Sequence, residues 1–185
     1  LDRVKEAIEK LPFKIKNNDI VLNVQGDEPM MRPDMISKTI EPFKKSLKVN
    51  ATILCMQIVN KEQYLNPDIV KVLHNLKNEI IYTSRSPVPY SKKFSVSLGA
   101  KRIYGIFAFK WKYLTLFSNL KESPLEIKES CDSNRLYDNN LFQHVAYYPY
   151  IDSFSVDSIK DLKKVEKYMK KDYFWKLYNK KLNAS

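Results

Sequence analysis

An almost continuous apolar run at residues 19–24 (DIVLNV) stops abruptly at Gln25-Gly26-Asp27-Glu28-Pro29, placing two carboxylates where a strand ends. In open parallel sheets, ligands bind outside the carboxyl ends of the strands. An aspartate just past such an end is therefore placed to meet a metal ion or a phosphate. Asp157 is the natural second candidate, because it too follows a short strand and opens a helix. Mg²⁺ prefers oxygen ligands and usually takes one or two protein carboxylates, leaving its other positions to water and substrate phosphates. The plainer alternatives are a turn aspartate at 27 and a helix cap at 157.

Several other chemistries are disfavoured. The only glycines are Gly26, Gly99 and Gly105, so the chain holds no glycine-rich phosphate cradle of the P-loop or dinucleotide type. It also lacks the serine-between-glycines elbow of serine hydrolases. Cys55 and Cys131 stand far apart, and His74 and His144 are isolated, which argues against a disulfide framework or a thiolate metal site. The net charge of +11 invites a nucleic-acid reading. However, residues 158–185 concentrate nine Lys against three acids, and Lys greatly outnumbers Arg along the whole chain. A solvated lysine-rich helix face explains this better than base readout, which favours Arg. The opening LDRVKEAIEK is charged rather than signal-like, and no apolar run approaches the ~18 residues of a membrane span. A cytoplasmic protein without a membrane partner is expected.

The elements that must hold these residues can be traced from periodicity. With 185 residues, 44% of them hydrophobic, the chain suits one domain with a real core. Val4, Ala7, Ile8 and Leu11 recur at helical spacing. Strands are expected at 19–24, 51–59, 69–74, 80–84, 102–109 and 142–147. A helix at 33–46 has Pro33 in its first turn, where a missing N–H costs nothing. The runs 69–74 and 80–84 flank Asn75-Leu76-Lys77-Asn78 and predict a hairpin. Residues 85–90 (RSPVPY) must form a loop, because two prolines remove ladder donors. Ser123-Pro124-Leu125-Glu126 reads as a capping box that opens a helix running to about Asp138. A long terminal helix carries Ile159, Leu162, Val165 and Met169 on one side. Alternating strands and helices imply α/β with a mainly parallel sheet and a hairpin insertion at about 60–100.

Residues 23–30 (NVQGDEPM), followed by residues 82–90 (YTSRSPVPY), resemble the 3-deoxy-manno-octulosonate (Kdo) cytidylyltransferases. The resemblance extends to Asn66-Pro67 with Val70-Lys71-Val72, to Ser123-Pro124-Leu125-Glu126 with Glu129 and Arg135, and to Val156-Asp157-Ser158 with Asp161-Leu162. It implies a Rossmann-like nucleotidyltransferase sheet and an enzyme that joins CMP from CTP to a keto sugar acid for lipopolysaccharide or capsule synthesis. It also implies Mg²⁺ as cofactor, with Asp27 and Asp157 as metal ligands, and Gln25 and Gly26 facing substrate. Arg85 is expected in the sugar site, paired with a carboxylate or phosphate. Glu129 and Asp132, three apart on one helix face, would receive sugar hydroxyls. A homodimer is implied, and the hairpin is the expected interface.

Two departures bear on the sugar. Ile103 stands where the family has histidine, and Asp132-Ser133-Asn134 replaces Glu-Gln followed by an apolar residue. Since polar mismatches discriminate strongly, transfer of CMP is better supported than Kdo itself. A third concerns the start: the family's first strand and basic, glycine-containing CTP loop are expected before Leu1. Little independent CTP turnover is the corresponding expectation, with an inactive or partner-dependent fragment as the alternative.

Overall fold

The computed structural model describes residues 1–156 and 158–182. The described elements are α1 (Asp2–Glu9), β1 (Ile20–Val24), α2 (Pro33–Lys45), β2 (Ala51–Gln57), α3 (Lys61–Leu65), β3 (Lys71–His74), β4 (Ile80–Ser84), β5 (Lys101–Lys110), α4 (Trp111–Asn119), α5 (Pro124–Glu129), α6 (Ser133–Asp138), β6 (His144–Tyr147), α7 (Ile159–Met169) and α8 (Tyr173–Leu182). The strands form one sheet in the order β4-β3-β5-β2-β6, with β1 also paired to β5. The arrangement is α/β, with one six-stranded sheet flanked by helices.

The parallel character lies in strand direction rather than in pairing. β1, β2 and β3 all run antiparallel to β5, and β6 runs parallel to β2, so four strands point one way and only β2–β6 forms a parallel ladder. β2 is central because ATILCM is buried on both faces, the expected pattern for a covered strand. Side chains alternate along β5. Phe107 and Phe109 join Ile53, Leu114, Phe117 and Leu136 on one face, while Tyr104 and Ile106 join Met35, Leu54 and Met56 on the other. The expected hairpin forms as β3–β4 and joins the main sheet through β5. Its turn reaches β6, where the Val145 N–H donates to the Asn78 carbonyl at 2.9 Å.

β4 lies at the end of the sheet, yet side chains cover its outer backbone. Asn134, fully buried, accepts from the Thr83 N–H at 3.2 Å and donates to the Thr83 carbonyl at 3.1 Å. The polar departure at 134 thus satisfies an edge strand that would otherwise offer an unpaired template.

Two expected helices are each divided. Ser123 caps α5 with the full capping box, but α5 stops at Glu129, where Ser130 takes left-handed backbone angles (φ 48°). Glu129 and Asp132 therefore do not share a helix face. The terminal helix breaks after Met169, and Asp172 starts α8 by accepting the Trp175 N–H at 2.9 Å. Cys55 and Cys131 are buried free thiols. His74 contacts the Asn75 carbonyl and the Tyr147 hydroxyl, as a structural histidine does.

Candidate functional site

A cleft of about 230 Å³ opens past the carboxyl end of β1. The turn there is closed by the Glu28 N–H donating to the Gln25 carbonyl at 3.2 Å, and Gln25 is held to β5 by its N–H on the Gly105 carbonyl at 3.0 Å. Gln25, Asp27, Arg85 and Asp132 all line this cleft. Gly26 does not need to be glycine for its turn: its φ is ordinary and no atom lies within 4 Å of where a Cβ would stand. The position lies open in front of the turn. The glycine that packing requires is Gly105, where a Cβ would come within 2.5 Å of Gln25 Oε1 and 2.7 Å of Glu28 Cγ.

Asp27 is exposed, and its carboxylate has no hydrogen-bond or ion-pair partner among the described residues. Its carbonyl accepts the Val156 N–H at 2.9 Å. Asp157 lies outside the described residues. A second bond links the same two segments, because the Ser155 hydroxyl donates to Glu28 Oε1 at 2.7 Å. The chain leading to position 157 is thus fastened to the Asp27 turn. Glu28 is buried, its second oxygen has no partner, and burial raises its pKa above the usual carboxylate value. Among the described residues no group of three metal-ligating side chains forms.

Arg85 lies in the cleft, but most of its guanidinium is committed to backbone. Nε donates to the Glu129 carbonyl at 2.9 Å, one terminal nitrogen to the Pro67 carbonyl at 3.0 Å, and the other to the Ser130 carbonyl at 3.3 Å. Glu129 is engaged elsewhere: it accepts from the Tyr82 and Ser84 hydroxyls and from the Arg85 N–H at 2.8 Å. Burial alone would raise the Glu129 pKa, but these hydrogen bonds and the Arg85 charge outweigh it and hold it below the usual value. Asp132 makes no cap bond to α6.

Sequence reasoning missed three residues. Lys71 is wholly buried and donates to the carbonyls of Asn66, Ile69 and Arg85 at 2.6–2.7 Å, pinning the loop that carries Asp68 to the end of β4. A lysine between two valines in a strand pattern, Val70-Lys71-Val72, was the signal available. Glu28 was visible only as part of its motif. Arg102 reaches the cleft from β5, and nothing in its strand pattern marked it.

A family model described as cytidylyltransferase matches residues 1–176. The 3-deoxy-manno-octulosonate cytidylyltransferase of Nitrosococcus oceani is 31% identical over 173 residues, covering 89% of this chain and 66% of that protein. The enzyme of the same name from Thermodesulfovibrio yellowstonii is 33% identical, covering 90% of this chain and 68% of its own. Among solved structures, CMP:2-keto-3-deoxy-manno-octonic acid synthetase complexed with CTP superposes with a TM-score of 0.79 at 28% identity. It covers 92% of this chain and 67% of its own length. This chain therefore spans about two thirds of the proteins it resembles. With the QGDEP turn, the loop after β4 and the Ser123 capping box all in that family's order, the chain belongs to the cytidylyltransferase family.

Proposed function

We propose that this chain forms the metal-binding and sugar-acid-binding part of an enzyme that transfers CMP from CTP to a keto sugar acid, Kdo or a close relative. In that reaction the anomeric hydroxyl oxygen bonds to the α-phosphorus of CTP and the bond to the β-phosphate bridge breaks. The hydroxyl proton is lost and pyrophosphate leaves. The observation that carries the reading is the unpartnered Asp27 carboxylate at the mouth of the cleft, stitched through Val156 to the segment that precedes Asp157. A donor set of two carboxylates suits Mg²⁺, so Asp27 and Asp157 fit that ion. Asp27 and Asp157 would hold it, and a bound Mg²⁺ supplies electrostatic relief for charge developing on phosphate. Gln25 and Asp132 offer an amide and a carboxylate to sugar hydroxyls. The relatives' names and the CTP-bound neighbour support both substrates.

The test is direct binding and turnover by the purified chain. Mn²⁺, read by water-proton relaxation, should bind more tightly in the presence of CTP and should lose that enhancement in Asp27→Asn. Any pyrophosphate release should require both CTP and Kdo. Equal response to a neutral sugar such as glucose, or retention of Kdo only by nonspecific ionic contact that salt abolishes, would overturn the reading. The homodimer is proposed to use the β3–β4 hairpin, which exposes Leu76 and Ile81. With the outer backbone of β4 capped by Asn134, side-chain packing rather than strand pairing would form that contact. Monomeric sedimentation at micromolar concentration would oppose it. No described helix is long and apolar enough to cross a membrane.

A further inference from the structure

The cleft contains two arginines in opposite states. Arg85 is held by three backbone carbonyls. Arg102 donates to nothing: its guanidinium has no hydrogen-bond or ion-pair partner among the described residues, and its Nε is buried without one. A guanidinium carries five N–H donors and cannot shed its charge, and a buried donor left unmet costs free energy. Arg102 is half-buried: its terminal nitrogens open to the cleft, and its buried Nε is the donor left without an acceptor from this chain.

The surroundings narrow the choice of acceptor. Arg102 sits where the 230 Å³ cleft meets a second, polar cavity of about 290 Å³, and it lines both. Its guanidinium lies 5.7 Å from the centre of the Tyr104 ring, which supports it from one side. Tyr104 is fixed in turn by its hydroxyl on Ser153 at 2.7 Å. Glu28, Asp68 and Asp152 also line these cavities, none in an ion pair with Arg102, and Glu28 already takes a hydrogen bond from Ser155. Next along β5, Ile103 presents only hydrocarbon to the cleft, so it offers no competing donor.

We infer that Arg102 is the residue that receives the carboxylate of the sugar acid, as a bidentate pair, while Arg85 shapes the loop around it. This inference rests on the proposed function. It transfers the carboxylate-binding role from the arginine that the motif suggested to one that only the fold brings into the cleft. It also gives a chemical basis for selecting an acidic sugar over a neutral one: planar two-point recognition suits carboxylate, and a neutral sugar would leave the guanidinium unmet.

The experiment compares equilibrium binding of Kdo and of its uncharged C1 methyl ester to the unaltered chain, Arg102→Met, Arg102→Lys and Arg85→Met, read by calorimetry or ligand-observed NMR. Arg102→Met should weaken Kdo binding roughly 10- to 100-fold, the range for lost hydrogen bonds to a charged group, with little change for the ester. Arg102→Lys should recover part of the loss and melt at the same temperature as the unaltered chain. Kdo binding unchanged in Arg102→Met, or acid and ester weakened equally, would overturn the assignment and leave the proposed function standing. Failure of the unaltered chain to bind Kdo with CTP and Mg²⁺ present would remove both.

Discussion

Two polar regions flank the same sheet and are finished differently. Behind β4 the buried charge pair is met: Glu126 caps α5 and also grips Arg135 at 2.6 and 2.8 Å, with Arg135 stacked 4.4 Å from the Phe117 ring. Thr83 and Asn134 close both backbone groups of an edge strand. At the cleft, the Asp27 carboxylate and the Arg102 guanidinium have no hydrogen-bond or ion-pair partner among the described residues, and one oxygen of the buried Glu28 is unmet. Saturated polar networks give rigidity, whereas unsaturated ones at a cavity are held ready for a ligand. The difference separates residues that hold the fold from residues that use it, although both regions lie in the stretches that match the family.

The comparison can be broken most forcefully behind β4. Arg135→Ala leaves Glu126 buried without its partner and should cost about 3–5 kcal/mol, measured as a fall in the urea midpoint. Little change there would mean that the pair does not anchor α5 to α6. Asn134→Leu, which restores an apolar residue, should still cost about 1–3 kcal/mol, because the Thr83 N–H and carbonyl lose their partners. A neutral result would show that the strand edge finds other partners. Gly105→Ala lies on the boundary between the regions. Its Cβ must displace Gln25 and Glu28, at about 1–3 kcal/mol for overpacking, and Mn²⁺ binding should weaken along with stability. Asp27→Asn should move stability by no more than about 0.5 kcal/mol, as for an exposed site, while the CTP-dependent Mn²⁺ signal disappears.

The smallest effect expected is on pH dependence. The pKa of Glu129 is lower in the folded chain than in the unfolded one, so its contribution to stability is present above the unfolded value and is lost as pH falls through the folded one. Glu129→Gln should therefore lower the neutral plateau of a stability curve slightly and flatten its acid limb. An unchanged acid limb would detach Glu129 from Tyr82 and Ser84.

Much of this was legible because it is local. The continuous apolar run of β2, the hairpin flanking Asn75–Asn78 and the Ser123 capping box follow from neighbouring residues and formed as expected. The break at Ser130 was not legible, since a serine in the left-handed region carries no signal of the kind glycine gives. The cleft was half legible. Asp27 announces itself by ending a strand, but the difference between Arg85 and Arg102 depends on which carbonyls lie nearby, and residues 67, 129 and 130 come together only when the sheet forms.

The bonds that join Glu28 to Ser155 and Asp27 to Val156 span more than two thirds of the chain, 127 residues apart in the first case. Closing so long a loop carries an entropic cost that local contacts do not, and pairings of this kind tend to form late. The cleft would then assemble after the hairpin and the central ladders. In native-state hydrogen exchange, the Val156 amide should open more readily than the amides of β2 and β5. Ligands that bridge the two segments would slow that exchange at Val156 before they slowed it anywhere in the sheet, making this one amide a clock for completion of the site.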